Sequence, residues 1–206
     1  MGTTSVGTTS VGTTSGRRER KKAATRQNIA DTAARLFLEH GFDAVGIREV
    51  AAAADVAVTT VFAHFASKEA LVFAQDDAFR ERLEAAVVER GPDDALTAVL
   101  RREIRALVAA CTTPRAAPVW RMVDETPSLR EHEEMMRLRH AESLAEAIAR
   151  DLGLDEVTTP CRTLARFTVD AFALARETDD PEAAVDEIFT MIDAAWAATG
   201  LDTGRE

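Results

Sequence analysis

The apolar positions of this chain recur at the three- and four-residue spacing of α-helices. β-Branched residues never alternate with polar ones over five or more positions between turn signals, as they do in a half-buried strand. The pattern therefore predicts an all-α protein. A first helix is predicted from Thr25 to His40, with Gly41 as its C-terminal stop. One face of that helix carries Ile29, Ala33, Leu36 and Phe37.

Two shorter helices are predicted next, joined by a tight turn. The first runs from Ile47 to Ala54, and the second from about Val58 to Phe65. The turn between them begins at Asp55, a residue type that tolerates the left-handed backbone conformation such turns demand. The residues expected to be buried are Ile47, Val50 and Ala51 on the first helix, and Val61 and Phe65 on the second. This is the layout of a helix-turn-helix, whose second helix enters the major groove of DNA.

The rest of the chain is also predicted to be helical. Ser67 is expected to cap a long helix from Lys68 to Arg90, which Gly91 and Pro92 end. Its inward positions are Leu71, Val72, Phe79, Leu83 and Val87. Further helices are predicted at Asp93–Cys111, Pro118–Asp124, Pro127 or Ser128 to Leu152, Pro160–Arg176 and Pro181–Thr199. Thr159 and Asp180 precede the prolines of the last two helices as predicted N-caps.

Composition limits the classes of protein. The chain has 206 residues, 46% of them hydrophobic, which is enough to bury one or two cores. No window of about eighteen residues lacks charge, so no membrane span is predicted. The start of the chain has no basic and apolar signal segment, which predicts a cytoplasmic location. Residues 1–16 repeat Val-Gly-Thr-Thr-Ser and are predicted to be a disordered tail.

The net charge of −10 hides an asymmetry. Residues 1–68 carry nine Lys or Arg against six Asp or Glu, whereas the remainder carries sixteen against twenty-nine. The N-terminal third is therefore the side expected to face DNA. A basic run there contains Arg17, Arg18, Arg20, Lys21, Lys22 and Arg26. It is either a solvated, disordered segment or an arm that follows the DNA backbone or enters the minor groove, and its position before the first helix favours the arm.

Three segments of the sequence, LFLEHGF, IREVAAAADV and TTVFAHFASKEAL, resemble the N-terminal domain of TetR-family transcriptional regulators. The resemblance covers Ile29 to Leu71. It implies a three-helix DNA-binding domain at 17–67 and a helical ligand-binding and dimerisation domain at 68–206. With the basic run, the residues expected to contact DNA are Gly46, Arg48, Ala57, Val58, Thr59, Thr60, Phe62, His64 and Lys68. Lys68 lies at a helix start, where its amine can meet a phosphate.

The sequence departs from the usual pattern of that family at four positions. Gly46 and Ala57 stand where Ser or Thr usually caps a helix, which costs a few tenths of a kcal/mol for glycine and about 1 kcal/mol for alanine. Phe62 replaces a Tyr and so lacks a hydroxyl that donates to phosphate. Asp55 replaces a Gly and adds a negative charge near the DNA. These departures motivate an alternative function, a helical ligand-binding or protein-interaction module with weakened DNA binding.

The resemblance also implies a homodimer, formed by the last two helices as an intermolecular four-helix bundle. The predicted interface residues are Phe172, Ile188, Ile192 and Trp196; the alternative for them is ordinary core. A small-molecule effector site is implied among the middle helices. Its predicted lining is Trp120, Arg121, Met122, Met135, Met136, His140 and Phe167, each of which has packed core or a solvated surface as its alternative. The implied function is a repressor that a ligand releases from a pseudo-palindromic operator.

Enzymatic function is not predicted. The four histidines are scattered, and the chain has no HExxH pair, no GxSxG elbow and no phosphate-binding glycine loop. His132 and its neighbouring glutamates diverge around a helix and are expected to form a solvated charged face. Cys111 and Cys161 lack metal-ligand spacing and are predicted to be buried thiols. We therefore expect no catalytic residue, no metal and no cofactor.

Overall fold

The computed structural model describes residues 13–201, with side chains from residue 16 onward. The chain divides into two compact units, one ending at Ala74 and the other beginning at Gln75. The N-terminal unit contains four helices within its described part. They are α1 (Thr13–His40), α2 (Ile47–Ala53), α3 (Val58–His64) and α4 (Glu69–Val72).

The core of the N-terminal unit forms where α1 packs against the three shorter helices. The predicted apolar face of α1 is confirmed, because Ile29, Ala33, Leu36 and Phe37 are all buried. The ring of Phe37 meets that of Phe42 edge to face, with centroids 5.0 Å apart. Gly41 ends α1 with a φ of 90°, a left-handed conformation that suits glycine. Ile47 is half-buried rather than fully buried.

The C-terminal unit is a bundle of longer helices. They are α5 (Asp76–Val88), α6 (Leu96–Cys111), α7 (Ala117–Glu125), α8 (Pro127–Asp151), α9 (Thr159–Arg176) and α10 (Pro181–Ala197). α9 lies at the centre and packs on α8, α6 and α10. Residues 13–201 contain no strand, so the all-α prediction is confirmed over that range. None of the helices in that range combines the length and the apolar composition of a membrane span.

The predicted single helix from Lys68 to Arg90 is wrong, because the structure divides it into α4 and α5. The backbone leaves the helical region at Phe73, with φ −97° and ψ 39°. In a continuous helix the Ala74 carbonyl would accept from the N–H four residues later, but here it accepts from the Arg26 guanidinium at 3.1 Å. Phe73 is buried. This interruption also moves the end of the N-terminal unit from the predicted Ser67 to Ala74, because α4 packs on α1.

The start of the first helix also differs from the prediction. α1 begins at Thr13 instead of Thr25, so the basic run lies on its first turns and does not form a separate arm. Arg, Lys, Glu and Ala fill residues 17–24 and are strong helix formers. The predicted disordered tail at 1–16 lies outside the described residues, except for the last few, which begin α1.

The helix caps in the C-terminal unit follow the prediction in one case of two. Asp180 caps α10, since its carboxylate accepts from the Ala183 N–H at 3.1 Å. Thr159 is the first residue inside α9 and not its cap; Thr158 occupies the cap position and directs its hydroxyl to the Cys161 sulfur instead. Cys161 is buried and Cys111 is half-buried, and neither forms a disulfide.

Candidate nucleic-acid interface

The turn between α2 and α3 has the geometry of a helix-turn-helix. Asp55 has a φ of 55°, so the predicted left-handed residue is confirmed. The N–H groups of Asp55 and Val56 donate back to the Ala52 and Ala51 carbonyls at 3.2 and 3.0 Å. These two hydrogen bonds form a Schellman motif, which ends α2 sharply and lets α3 begin three residues later.

Two polar side chains of α1 hold the ends of both shorter helices. The Asn28 amide donates to the Ala54 carbonyl at the end of α2, at 2.9 Å. The Arg26 guanidinium donates to the His64 carbonyl at the end of α3 and lies 4.3 Å from the centroid of the Phe65 ring. Both contacts satisfy helix-terminal carbonyls that have no partner within their helix. Arg26 was predicted to contact DNA, but its guanidinium is occupied inside the unit.

The outward side of α3 carries the predicted DNA-facing residues. Val61 and Phe65 are buried beneath it, as predicted. Thr59, Phe62 and Ala63 are exposed, and we call these three residues the α3 outer face. Val58, Thr60 and His64 are half-buried at its flanks, and Arg48 is exposed on α2. The DNA-facing residues predicted on α2 and α3 therefore lie within one continuous segment of the chain. Ala63 is a further exposed residue of that segment.

The N-caps of both helices lack side-chain hydrogen bonds. Gly46 caps α2 and Ala57 caps α3, each with an extended backbone and no side-chain acceptor. The expected departure from the usual capping pattern is thus present in the structure. The loss is about 1 kcal/mol at Ala57. The helix-turn-helix keeps its shape because Asn28 and Arg26 hold the opposite ends of the same helices.

Ser67 and Lys68 connect α3 to α4. The Ser67 hydroxyl accepts from the Ala70 N–H at 3.2 Å, which is the hydrogen bond expected of a cap, although Lys68 and not Ser67 occupies the cap position of α4. Lys68 precedes α4, and its ammonium lies 4.3 Å from the centroid of the Phe42 ring, near the Asp43 carbonyl. A lysine side chain whose ammonium is held over an aromatic ring has lost part of its conformational freedom. Lys68 is therefore positioned by the protein before any phosphate approaches.

The basic run continues this charged surface along α1. Arg17, Arg18, Arg20, Lys21 and Lys22 are all exposed on its first turns. The Arg20 side chain donates to the Gly16 carbonyl at 3.1 Å, one turn earlier. A helix that presents five cations to solvent provides attraction to phosphates without sequence preference.

In the C-terminal unit, two of the predicted ligand-lining residues join a row of aromatic rings, of which His140 and Phe172 are buried and Phe79 and Trp120 half-buried. The His140 ring stacks on Phe79 with centroids 5.0 Å apart, and Phe79 meets Phe172 edge to face at 5.1 Å. Phe172 in turn meets Trp120 at 5.7 Å. His140 also pairs with Asp76 on α5 at 2.5 Å. We call His140, Phe79, Phe172 and Trp120 the aromatic row.

The other predicted lining residues differ in their exposure. Met136 is buried and Met122 is half-buried, whereas Arg121, Met135 and Phe167 are exposed. Thr168, one turn before Phe172 on α9, is fully buried, and its hydroxyl has no hydrogen-bond partner among the described residues. A buried hydroxyl without a partner costs free energy unless another group satisfies it.

One end of the aromatic row carries a charged network. The Arg176 guanidinium lies 4.3 Å from the centroid of the Trp120 ring and donates to Asp124 and Glu133 at 2.7 and 2.9 Å. Burial raises the pKa of Glu133 above its usual value, and Arg176 counters part of that rise. Burial also raises the pKa of Cys111 to about 11, so this thiol is not ionised at neutral pH.

Two clefts of the described chain lie away from the aromatic row. One, of about 460 Å³, is lined by Arg105 on α6 and by residues 179–183 and 186 before and on α10. The other, of about 300 Å³, lies between α5 and α6 beside Arg82 and Glu103. Neither includes a predicted ligand-lining residue. Within residues 13–201, no three His, Cys, Asp or Glu side chains are grouped to hold a metal ion.

The predicted dimer residues are mostly turned inward. Phe172, Ile192 and Trp196 are buried in the core of the C-terminal unit, and Ile188 is half-buried. Three other large apolar side chains on the same two helices are exposed instead: Phe167 by 49%, Leu174 by 52% and Met191 by 62%. We call Phe167, Leu174, Ile188 and Met191 the α9–α10 apolar face. Three of the four predicted interface residues therefore belong to the intramolecular core, and the exposed apolar side chains of the same helices are different ones.

Sequence reasoning missed several of these residues. Asn28 interrupts the helix-forming pattern of α1, and a polar residue of low helix propensity in that position signals a side-chain contact to backbone. Ala63 lies one turn after Thr59, and alanine carries no polar group that would signal a contact with DNA. Leu174 and Met191 belong to apolar stripes too wide to face a single core.

Known proteins are similar to this chain in sequence. The family model described as bacterial regulatory proteins, tetR family, matches residues 29–74, which contain α2, α3 and α4. The HTH-type transcriptional regulator TcmR of Streptomyces glaucescens is 32% identical over 149 residues. That alignment covers 68% of this chain and 64% of TcmR, just under two thirds of the relative's length.

Solved structures share the fold at lower identity. The TetR family repressor AlkX from Dietzia sp. superposes with a TM-score of 0.59 at 18% identity, over 83% of this chain and 97% of AlkX. A TetR-family transcriptional regulator from Streptomyces coelicolor superposes with a TM-score of 0.56 at 23% identity, over 85% of this chain and 98% of that one. These matches extend the likeness of fold beyond the helix-turn-helix into the C-terminal unit.

Proposed function

Because the chain belongs to the TetR family of bacterial regulatory proteins, we propose that it is a DNA-binding transcriptional repressor acting on a pseudo-palindromic operator. The observation that carries this proposal is the α2–α3 pair. Its turn is closed by a Schellman motif at Asp55, and its outward side is free of packing. The exposed cations at the start of α1 supply phosphate attraction that the acidic remainder of the chain lacks. The protein then acts in the cytoplasm, where a bacterial operator is found.

The proposal includes a homodimer. Two copies of α3 must lie about one DNA turn apart to enter successive major grooves of a pseudo-palindrome. The α9–α10 apolar face supports this assembly, because three large apolar side chains there are 49–62% exposed in a single chain.

The proposal also includes release by a small-molecule effector bound near the aromatic row. The Thr168 hydroxyl, which has no partner among the described residues, and the pair of buried His140 with half-buried Asp76 offer polar contacts beside aromatic rings. A ligand that favours one conformation of the dimer shifts the spacing of the two α3 helices. Effector and operator must then weaken each other's binding by the same factor.

A binding-site selection from random duplexes tests the function. The full-length protein is mixed with the duplex pool and with competitor DNA, and the retained sequences are read. We expect a pseudo-palindrome whose half-sites are centred about 10 base pairs apart, or a multiple of that, and a band shift with DNA flanking the gene. The same shift assay with a metabolite panel identifies the effector.

Retained DNA without a shared sequence would overturn the proposal. It would instead favour the alternative function, a helical ligand-binding or protein-interaction module, which the missing caps at Gly46 and Ala57 motivate.

A further inference from the structure

The α3 outer face is unusual in its chemistry. Its three exposed residues are Thr59, Phe62 and Ala63, and Phe62 is 53% exposed. All of α3 lies in the described part of the chain, and it contains no Arg, Lys, Asn, Gln, Asp or Glu. His64, its last residue, is half-buried at the flank. The face that would enter the groove therefore presents methyl groups, one aromatic ring and a hydroxyl.

The chemistry of base edges restricts what such a face can distinguish. Guanine is read by paired donors from Arg or Lys, adenine by the amide of Asn or Gln, and cytosine by an acidic acceptor. None of those groups is available on α3. The thymine 5-methyl group is the base feature that apolar contact recognises, and Ala, Phe and the threonine methyl are the side chains that make this contact.

We propose that α3 recognises the operator through thymine 5-methyl groups, packed against Thr59, Phe62 and Ala63. The inference rests on the proposed DNA-binding function, and the charge asymmetry of residues 1–68 identifies duplex DNA as the occupant of this apolar face. Arg48, exposed on α2, is the single Arg or Lys within the described segment 46–66, so it supplies the paired donors for a guanine at the edge of each half-site.

Uracil substitution isolates the methyl group. The selected operator is synthesised with deoxyuridine in place of thymidine inside the half-sites, which removes each 5-methyl group and leaves base pairing unchanged. We expect an affinity loss of about fourfold for each contacted methyl, the change that burying one methyl group gives. The matched control carries the same number of deoxyuridines outside the half-sites and should bind with unchanged affinity.

Variants assign the contact to side chains. Phe62→Ala should weaken binding to the thymine operator and reduce its preference over the uracil operator. Thr59→Ser removes one methyl group but keeps the hydroxyl, and should reduce the same preference by a smaller factor. Arg48→Ala should weaken binding to both operators equally, which leaves their ratio unchanged. Phe62 and Thr59 are exposed, so these changes leave the core intact.

The outcomes separate this inference from the function on which it rests. Specific binding with equal affinity for thymine and uracil half-sites would overturn methyl recognition and leave the DNA-binding function standing. A selected half-site without thymine would do the same. Failure to bind any sequence preferentially would overturn both.

Discussion

Replacing Arg90 with alanine is expected to lower the free energy of unfolding of the C-terminal unit by about 3–5 kcal/mol. Arg90 lies just after α5, and Asp151 ends α8. Their side chains are only 5% and 2% exposed, and the Arg90 Nε donates to the Asp151 carboxylate at 2.8 Å. Arg90 also donates to the Asp94 carbonyl at 2.7 Å. Alanine leaves the buried carboxylate without this cation, and chemical denaturation of wild type and variant measures the loss.

Two comparisons test whether the loss of stability in Arg90→Ala comes from the buried Arg90–Asp151 pair. Arg82→Ala breaks a more exposed pair with Glu103 in the same unit and should cost under about 1 kcal/mol. The double variant Arg90→Met with Asp151→Leu should recover much of the stability, because an apolar pair of similar volume has no buried charge to compensate. An Arg90→Ala variant no less stable than Arg82→Ala would contradict the role assigned to the buried pair.

Placing aspartates on the α9–α10 apolar face is expected to convert the proposed dimer to a monomer. Leu174→Asp combined with Met191→Asp puts two charges into an apolar contact, which costs several kcal/mol of association free energy. A monomer presents one α3 at a time, so affinity for a two-half-site operator should fall by at least about tenfold. Sedimentation and operator titration measure the two effects on the same samples.

Val88→Asp provides the matched control for this test. Val88 lies on α5 and is exposed by 62%, the same fraction as Met191, so the substitution adds a charge to an equally exposed apolar position. It should leave both sedimentation and operator affinity unchanged. A double variant that remains dimeric would locate the interface elsewhere. Phe172→Asp or Trp196→Asp is unsuitable here, because these residues are buried and the change would unfold the unit.

The N-terminal unit was largely predictable from the sequence because its elements are fixed locally. The apolar spacing located α2 and α3, and the tolerance of aspartate for left-handed backbone located the turn at Asp55. The break between α4 and α5 was not predictable in this way, because helical spacing continues through it. The Ala74 carbonyl lies at this break, and it accepts a hydrogen bond from Arg26, a residue about fifty positions earlier in the chain.

In the C-terminal unit, helical periodicity alone does not identify the residues of the candidate sites. Periodicity identifies a wide apolar stripe on α10 but does not say which of its edges the chain itself covers. Trp196 and Met191 both belong to that stripe, and the structure buries the first and exposes the second. Likewise, the aromatic row joins α5, α7, α8 and α9, and no local pattern relates Phe79 to Phe172.

Whether α2 and α3 read a DNA sequence can be measured as a ratio of two affinities. Wild-type protein is titrated onto the selected operator and onto a scrambled duplex of equal length at one salt concentration. We predict at least about 10³-fold tighter binding to the operator. Arg18→Ala, on the exposed basic run, should weaken both affinities alike, whereas Arg48→Ala should weaken the operator affinity alone. Equal affinities of the wild-type protein for both duplexes would mean that α2 and α3 do not read a DNA sequence.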